Sequence, residues 1–403
     1  MTETAGALED GVVPSTRAGS LRILFICHSR ALGGAEAYLE QIATRAARVA
    51  DVQVVCRPDP VLDEWVERLT AAGVRFVRLR LGGVADFRRL RRAVRWASVV
   101  HLNLADRVGS YQVVATLACR LERRPLACTY HLARETEDLP MGWFGRRFRT
   151  LALGAVYGYA RRNIALSEEG SRLLPRRAGL DPRRVVQIAN GVDADRFTPV
   201  PDAGDRRELR RRLLGPDAPD GVLCCTVARL TAQKGLDVLV EAAAILRGRH
   251  GGAPARFVVV GDGELHGALQ ARIDELGVAD TVELAGARPP EEIPSWLAAS
   301  DVFVLSSHYE GMSLAAMEAM ASGLPLVVTR VSGTAELVPS PDDGRVVRPG
   351  DPDGLADALD ELIADAELRR ALGRRALANV RRYTWEACFE RTLALLREIA
   401  IPA

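Results

Sequence analysis

Along the chain, short runs of β-branched and aliphatic residues alternate with stretches in which apolar residues recur at helical spacing. In the first half, the runs at 21–27 (LRILFIC), 52–56, 75–81, 98–104, 125–131, 163–167 and 185–190 predict strands. In the second half they fall at 222–228, 256–261, 281–286, 302–307, 325–329 and 344–347. Strands that alternate with helices in this way build parallel sheets covered on both faces. The segment 193–205, DADRFTPVPDAGD, is rich in Pro, Asp and Gly and reads as a linker between two such units. The predicted class is therefore α/β, with two Rossmann-like doubly wound domains facing across a cleft. Ligands in such sheets sit beyond the carboxyl ends of the strands.

At 403 residues the chain is too long for one ordinary core and suits two. The expected division is a polar tail at 1–20, a first domain at 21–200 and a second at 201–385. The C-terminal helix, 386–403, is a candidate for crossing back to the first domain. The tail lacks the basic start and apolar core of a signal peptide, and no apolar run reaches the length of a membrane span, the longest lying around 151–160. Seven cysteines are scattered without a C-x-x-C pair, which argues against a disulfide framework or a zinc site and for a reducing, cytoplasmic setting.

The net charge of +2 hides an asymmetry: residues 21–200 carry 30 basic and 18 acidic side chains, whereas residues 201–403 carry 23 and 31. A basic first half next to an acidic second half suggests an anionic acceptor or a membrane surface as partner of the first, through stretches such as DFRRLRRAVRW and GWFGRRFRTLALGAVYGYARR. Solvated surface arginines are the plainer reading. Nothing in the pattern points to nucleic acid.

Of the 54 Lys and Arg side chains, Lys234 alone is lysine. A GC-rich codon supply explains scarce lysine, but a compact ammonium on a flexible stem also suits a phosphate that must be reached and released. Arg229 supplies a bidentate fork nearby. Both precede a helix expected from about Gly235, whose N-terminus favours an anion. In SSHYEGMSLAAMEAMASGLPLVVT, 306–329, a strand ends at Ser307, Glu310 and Gly311 occupy a loop, and Ser313 caps a helix that runs to about Ser322, with Gly323 as its stop. Glu310 and Glu318 are then spaced to take sugar and ribose hydroxyls, with the N–H groups of Met312, Ser313 and Leu314 between them for phosphate or sugar oxygens. Gly33 and Gly34 open a helix after the first strand and permit close approach of backbone to phosphate. His131 ends a strand toward the cleft, where it is expected to donate a hydrogen bond to a sugar hydroxyl; His28 and His101 end strands on the same side. The plainer readings are an ordinary turn for the glycines, a water-facing Glu318 and a structural histidine.

Taken together these motifs resemble a retaining glycosyltransferase of family 4 with the GT-B architecture, over nearly everything from Leu21 to Ile399. The family's E-x7-E pair falls on Glu310 and Glu318, its R-x4-K pair on Arg229 and Lys234, its glycine-rich turn on Gly33 and Gly34, and its middle-strand histidine on His131. NGVD (190–193) and VVVGDGEL (258–265) also sit where the family has them. The resemblance implies a nucleoside-diphosphate sugar as co-substrate, UDP being the commoner choice, with no cofactor and no metal. Glu310, His131, Arg229 and Lys234 would be catalytic. Gly33, Gly34, Gly311, Met312, Ser313, Leu314 and Glu318 would join Arg229, Lys234 and Glu310 in holding the donor. The first domain would hold the acceptor, either a soluble small molecule or a lipid or glycan, the enzyme being cytoplasmic with membrane-peripheral contact as a variant. Two other readings stay open. GDGELHG (261–267), with Glu283 beyond it, imitates a dinucleotide fingerprint of an NAD(P)-dependent oxidoreductase, and the same fold could serve as a non-catalytic sugar-nucleotide-binding module. Asp193-Ala-Asp195 and Asp351-Pro-Asp353 imitate a metal-binding D-x-D but lie in linker or Pro-rich context, so no metal site is implied.

Overall fold

The computed structural model describes residues 20–104, 110–132, 158–176, 180–200, 202–216 and 220–402. All thirteen predicted strands are present: β1 (Arg22–Ile26), β2 (Asp51–Cys56), β3 (Arg75–Arg78), β4 (Val99–Leu104), β5 (Leu126–Tyr130), β6 (Arg162–Ala165), β7 (Val185–Gln187), β8 (Val222–Val227), β9 (Ala255–Val260), β10 (Val282–Gly286), β11 (Val302–Leu305), β12 (Leu326–Thr329) and β13 (Arg345–Val347). They form two parallel sheets, ordered β3-β2-β1-β4-β5-β6-β7 and β10-β9-β8-β11-β12-β13. In both, the chain starts near the middle and winds outward to either side, which leaves a crevice at the carboxyl ends where the order reverses. Burial alternates along β1: Ile23 and Phe25 enter the core on one face, Leu24 and Ile26 the core on the other. Coverage on both faces explains why these strands read as unbroken apolar runs rather than as alternating ones.

The last helix, Trp385–Ile399, packs against the first sheet's layer and not the second's. Trp385, Cys388, Phe389, Leu393 and Leu396 are buried in one cluster with Tyr38, Leu39 and Ile42 of the helix Gly34–Ala47. Its chain reaches that layer beside the outgoing linker, where Val192 and Thr384 form a parallel bridge and the Val192 N–H donates to the Tyr383 carbonyl at 3.0 Å. Two crossings side by side let the backbones pair, and Gly191 allows the approach: a Cβ there would stand 2.3 Å from the Trp385 nitrogen. Farther out, Ser167 and Ser332 share a hydroxyl hydrogen bond of 2.6 Å, and the Glu168 N–H donates to Glu336 Oε1 at 2.6 Å.

All seven cysteines are free and buried. Among the described residues no helix is long and apolar enough to cross a membrane. Of the two basic stretches, the first is the helix Val84–Trp96, in which Arg91 and Arg95 both pair with Glu122 at 2.7 Å. Most of the second, 142–157, lies outside the described residues, as does the tail 1–19.

Gly191→Ala is expected to lower unfolding stability by about 1–3 kcal/mol, because neither crossing backbone can yield. Gly248→Ala, in the interior of the helix Leu236–His250 with no atom within 4 Å of the added Cβ, is expected to raise it by about 0.5–1 kcal/mol. Paired denaturant titrations check both signs; equal effects would mean that the crossing is not tightly packed.

Candidate active site

The loop after β8 is shaped by one left-handed residue. Gly235 (φ 53°) caps the helix Leu236–His250, and a Cβ on it would meet the Ser306 carbonyl oxygen at 2.4 Å. That contact lays the loop against the end of β11, where the Ser306 hydroxyl donates to the Lys234 carbonyl at 2.9 Å and the His308 N–H to the Gln233 carbonyl at 2.8 Å. The two motif-bearing loops are thus stitched together, and their charged groups meet. Lys234 Nζ lies 2.6 Å from Glu310 Oε1, the Ser307 hydroxyl donates to the same oxygen at 2.7 Å, and Gln233 Nε2 donates to the Tyr309 carbonyl at 3.0 Å and to Glu310 Oε2 at 3.5 Å. The sequence assigned Lys234 to phosphate and Glu310 to sugar; the fold makes them an ion pair. With side chains 18% and 8% exposed, each charge needs the other, since removing one partner of a buried pair leaves an uncompensated ion.

Arg229 points the other way. A Cβ on Gly33 would stand 3.8 Å from its Nε and 3.5 Å from Glu36 Oε2, so the guanidinium of the second domain reaches the glycine turn of the first. Gly33 caps the helix Gly34–Ala47. The other flank of this turn meets the second domain too: a Cβ on Gly34 would lie 3.7 Å from Leu314 Cδ1. Gly311 makes the tightest approach of all, the space of its missing Cβ being 1.7 Å from the His131 carbonyl oxygen, and Asn190 Nδ2 donates to the Met312 carbonyl at 3.0 Å. The helix Leu314–Ala321 then begins with Ser313 Oγ accepting from the Ala316 N–H at 3.3 Å. Among the described residues no acceptor is placed on the N–H groups of Met312, Ser313 or Leu314.

Glu318 lies on this helix partly covered, with no donor among the described residues on its carboxylate. Burial raises its pKa to about 7 and the Arg196 charge opposes the shift. Glu36, in the first turn of Gly34–Ala47, is buried and likewise raised by burial, with the Arg229 charge a smaller opposing cause.

The histidine expectation needs correction. His131 is nearly buried, edge-on to Tyr38 at 4.9 Å, with Nε2 2.7 Å from Asn103 Oδ1. Asn103 uses its Nδ2 to donate to the Ala35 carbonyl at 2.8 Å, so its oxygen faces His131 and Nε2 must carry the proton. Burial also drives the His131 pKa down to about 3, so the ring is neutral. Nδ1 is then the ring's acceptor, so any partner at that atom must be a donor. His101 is fully buried against Thr129 Oγ1 at 2.8 Å and does not face the cleft. His28 stacks on Tyr111 at 4.8 Å.

The dinucleotide fingerprint is corrected as well. A Cβ on Gly261 (φ 141°) would lie 1.9 Å from the Ala228 carbonyl oxygen and one on Gly263 2.5 Å from that of Leu230. The Leu230 N–H donates to the Asp262 carbonyl at 3.1 Å. These glycines admit the backbone at Ala228 and Leu230, at the start of the loop that carries Arg229 and Lys234. Of the D-x-D strings, Asp193 closes a turn by accepting from the Asp195 and Arg196 N–H groups, and Asp351 caps the helix Pro352–Ala364. Sequence reasoning passed over Gln233, Ser307, Glu36 and Asn103. Gln233 and Ser307 adjoin quoted motif residues, but only the stitched loops reveal that they hold Glu310.

The Glu318 shift has a definite sign. Its folded pKa lies above the ordinary 4.5, so its contribution to stability is full below that value and is lost as pH rises through about 7. Wild type is therefore expected to lose thermal stability relative to Glu318→Gln between pH 4.5 and 7.5, read as the difference in Tm across a pH series; a flat difference would contradict a raised Glu318 pKa.

Two family models cover the chain in turn: Glycosyltransferase Family 4 matches residues 32–196 and Glycosyl transferases group 1 matches residues 208–378. Alpha-D-kanosaminyltransferase of Streptomyces kanamyceticus is 30% identical over 318 residues, 78% of this chain and 80% of that protein. D-inositol 3-phosphate glycosyltransferase of Corynebacterium urealyticum is 34% identical over 221 residues, 54% of this chain and 51% of that protein, so the chain spans about half the length of this relative. Among solved structures, Anabaena HepE in complex with UDP and glucose superposes with a TM-score of 0.80 at 22% identity, over 94% of this chain and all of that one. Sucrose-phosphate synthase of Thermosynechococcus elongatus does so at 0.75 and 22%, over 94% and 98%. With both sheets, the cleft and the two motif loops in place, the chain belongs to the family 4 glycosyltransferases of the GT-B fold.

Proposed function

We propose that this protein transfers a sugar from a nucleoside-diphosphate sugar, UDP being the favoured carrier, to an acceptor hydroxyl with retention of anomeric configuration and without a metal ion. The observation that carries this reading is that Arg229 reaches the Gly33 turn from the second domain, while Lys234 pairs with Glu310 on the loop whose Leu314 meets Gly34. The UDP found with HepE supports the choice of carrier. In this reaction the bond between the anomeric carbon and the β-phosphate oxygen breaks and negative charge grows on the leaving diphosphate. Arg229, Lys234, the Gly33–Gly34 turn and the uncommitted N–H groups at Met312–Leu314 supply the compensating positive charge.

The ion pair suits this role, because Lys234 can exchange its carboxylate partner for phosphate as charge develops, and only interactions that strengthen in the transition state accelerate the step. Glu310 Oε1 already accepts from both Lys234 and Ser307, which lowers its nucleophilicity. Front-face attack, with a phosphate oxygen taking the acceptor's proton, is favoured over double displacement through Glu310. His131 Nδ1 accepts a sugar hydroxyl, Glu318 takes ribose hydroxyls, and the first domain holds the acceptor. A dinucleotide-dependent oxidoreductase is not favoured, because both family models that cover the chain are glycosyltransferase models and Gly261 and Gly263 serve backbone packing.

Lys234→Ala and Arg229→Ala are each expected to cost about 2–4 kcal/mol in transition-state stabilisation, roughly 30- to 1000-fold in kcat/KM, measured as UDP release from a panel of UDP-sugars. Turnover within twofold of wild type in both would remove the phosphate role. Gly311→Ala must push the domains apart at the His131 carbonyl and is expected to lower kcat/KM by about 100-fold with UDP affinity retained. If kcat/KM were unchanged, the closed contact would not be part of the working state.

A further inference from the structure

One face of the first sheet carries polar side chains where a strand covered on both faces calls for apolar ones. Two cross-strand pairs follow one another toward the carboxyl ends of β4 and β5: His101 with Thr129 Oγ1 at 2.8 Å, then Asn103 Oδ1 with His131 Nε2 at 2.7 Å. All four side chains are buried, Asn103 being 1% exposed and His131 8%. Buried polar groups are tolerated only when hydrogen-bonded, and apolar residues would fill this face at lower cost. Asn103 belongs to none of the motifs read from the sequence, yet it stands at the end of this ladder, against the ring.

Asn103 ties two parts of the site together. Its Nδ2 donates to the Ala35 carbonyl at 2.8 Å, in the first turn of the helix that Gly33 caps, and this bond turns the amide so that Oδ1 faces His131. An amide oxygen only accepts, and the partner of one ring nitrogen settles the state of the other. Tyr38, from the same helix, meets the ring edge-on at 4.9 Å, and the His131 carbonyl is pressed against Gly311 of the second domain. The ring is thus held from three sides. Tyr38 and His101 are the titratable groups beside it, and burial keeps His101 neutral. The nearby carboxylates are engaged elsewhere: Glu310, next to Gly311, holds Lys234 and Ser307, and Glu36 faces the Cys27 thiol at 3.5 Å.

We infer that Asn103 is a positioning residue for sugar selection: by fixing the His131 ring as an acceptor, it requires the sugar to present a donor there, a hydroxyl or an amine, and refuses a group that can only accept. The inference rests on the transferase reading and deepens it. Because the same amide holds the Ala35 carbonyl, the ring and the glycine turn keep a fixed spacing, so a sugar whose diphosphate lies on the turn meets the ring in register. Asn103→Asp reverses the polarity. A carboxylate beside Nε2 favours the charged ring, and a charged ring donates from both nitrogens.

The test records histidine nitrogen NMR spectra of the full chain as wild type, Asn103→Asp and Asn103→Ser, with the His131 signals identified by their loss in His131→Gln. Wild type is expected to show a neutral ring protonated at Nε2 from about pH 5 to about pH 8. Asn103→Asp is expected to titrate within that interval, and Asn103→Ser, which retracts the oxygen, to show mixed tautomers. A second arm measures by calorimetry the affinity for UDP-glucose, UDP-galactose and UDP-N-acetylglucosamine, each divided by that for UDP, which cancels any shift of the glycine turn. For the best-bound sugar this ratio is expected to fall about tenfold in Asn103→Asp near pH 6 and to recover to within about threefold near pH 8.5, where the ring is again neutral. A defect of packing alone would not recover with pH. A wild-type ring protonated at Nδ1, a His131 signal indifferent to both substitutions, or a ratio unchanged in Asn103→Asp overturns the inference. Absence of UDP binding by folded wild type would instead sink the transferase reading, while the NMR arm still decides whether Asn103 sets the ring.

Discussion

Four carbonyl oxygens occupy spaces in which a side chain would otherwise begin, and the cleft depends on them. Ser306 lies against Gly235, Ala228 against Gly261, Leu230 against Gly263 and His131 against Gly311. The first three press the loops after β8, β9 and β11 into a single slab. The fourth sets that slab against the first domain. Backbone has no rotamer with which to yield, so each approach fixes its loop more rigidly than a side-chain contact could, and any residue but glycine must move the chain.

The electrostatics follow from that packing. Because the loops are stitched, Lys234 and Glu310, far apart in sequence, stand 2.6 Å apart with Ser307 on the same oxygen. This arrangement holds the ammonium at the cleft without leaving a buried charge unpaired. Arg229 escapes the same slab and reaches the Gly33 turn. One cation is thus preorganised by a carboxylate and the other by the opposite domain. In the proposed reaction both serve one diphosphate, Arg229 at the Gly33 turn of the opposite domain and Lys234 beside Glu310.

Much of this was legible in the sequence. Strands buried on both faces produce apolar runs that need no tertiary knowledge to find, and the caps at Ser313 and Gly323 announce the helix between them. The glutamate and cation motifs were found because their residue types and spacing are unusual together. The functions of individual polar atoms were less legible. His131 reads equally well as donor or acceptor until Asn103, itself turned by the Ala35 carbonyl, dictates the tautomer. The glycines of GDGELHG read as a phosphate turn until the Ala228 and Leu230 backbone is seen to lie against Gly261 and Gly263.

By itself the sequence determined which segments are strands and which charged side chains stand at strand ends, because these follow from local periodicity and from residue chemistry. Tertiary structure alone decided that Lys234 pairs with Glu310, that Arg229 crosses to Gly33, and that the last helix returns to the first sheet's layer. Those outcomes are contacts between residues distant in the chain, settled by where glycines let one backbone lie on another, and no local pattern encodes that distance.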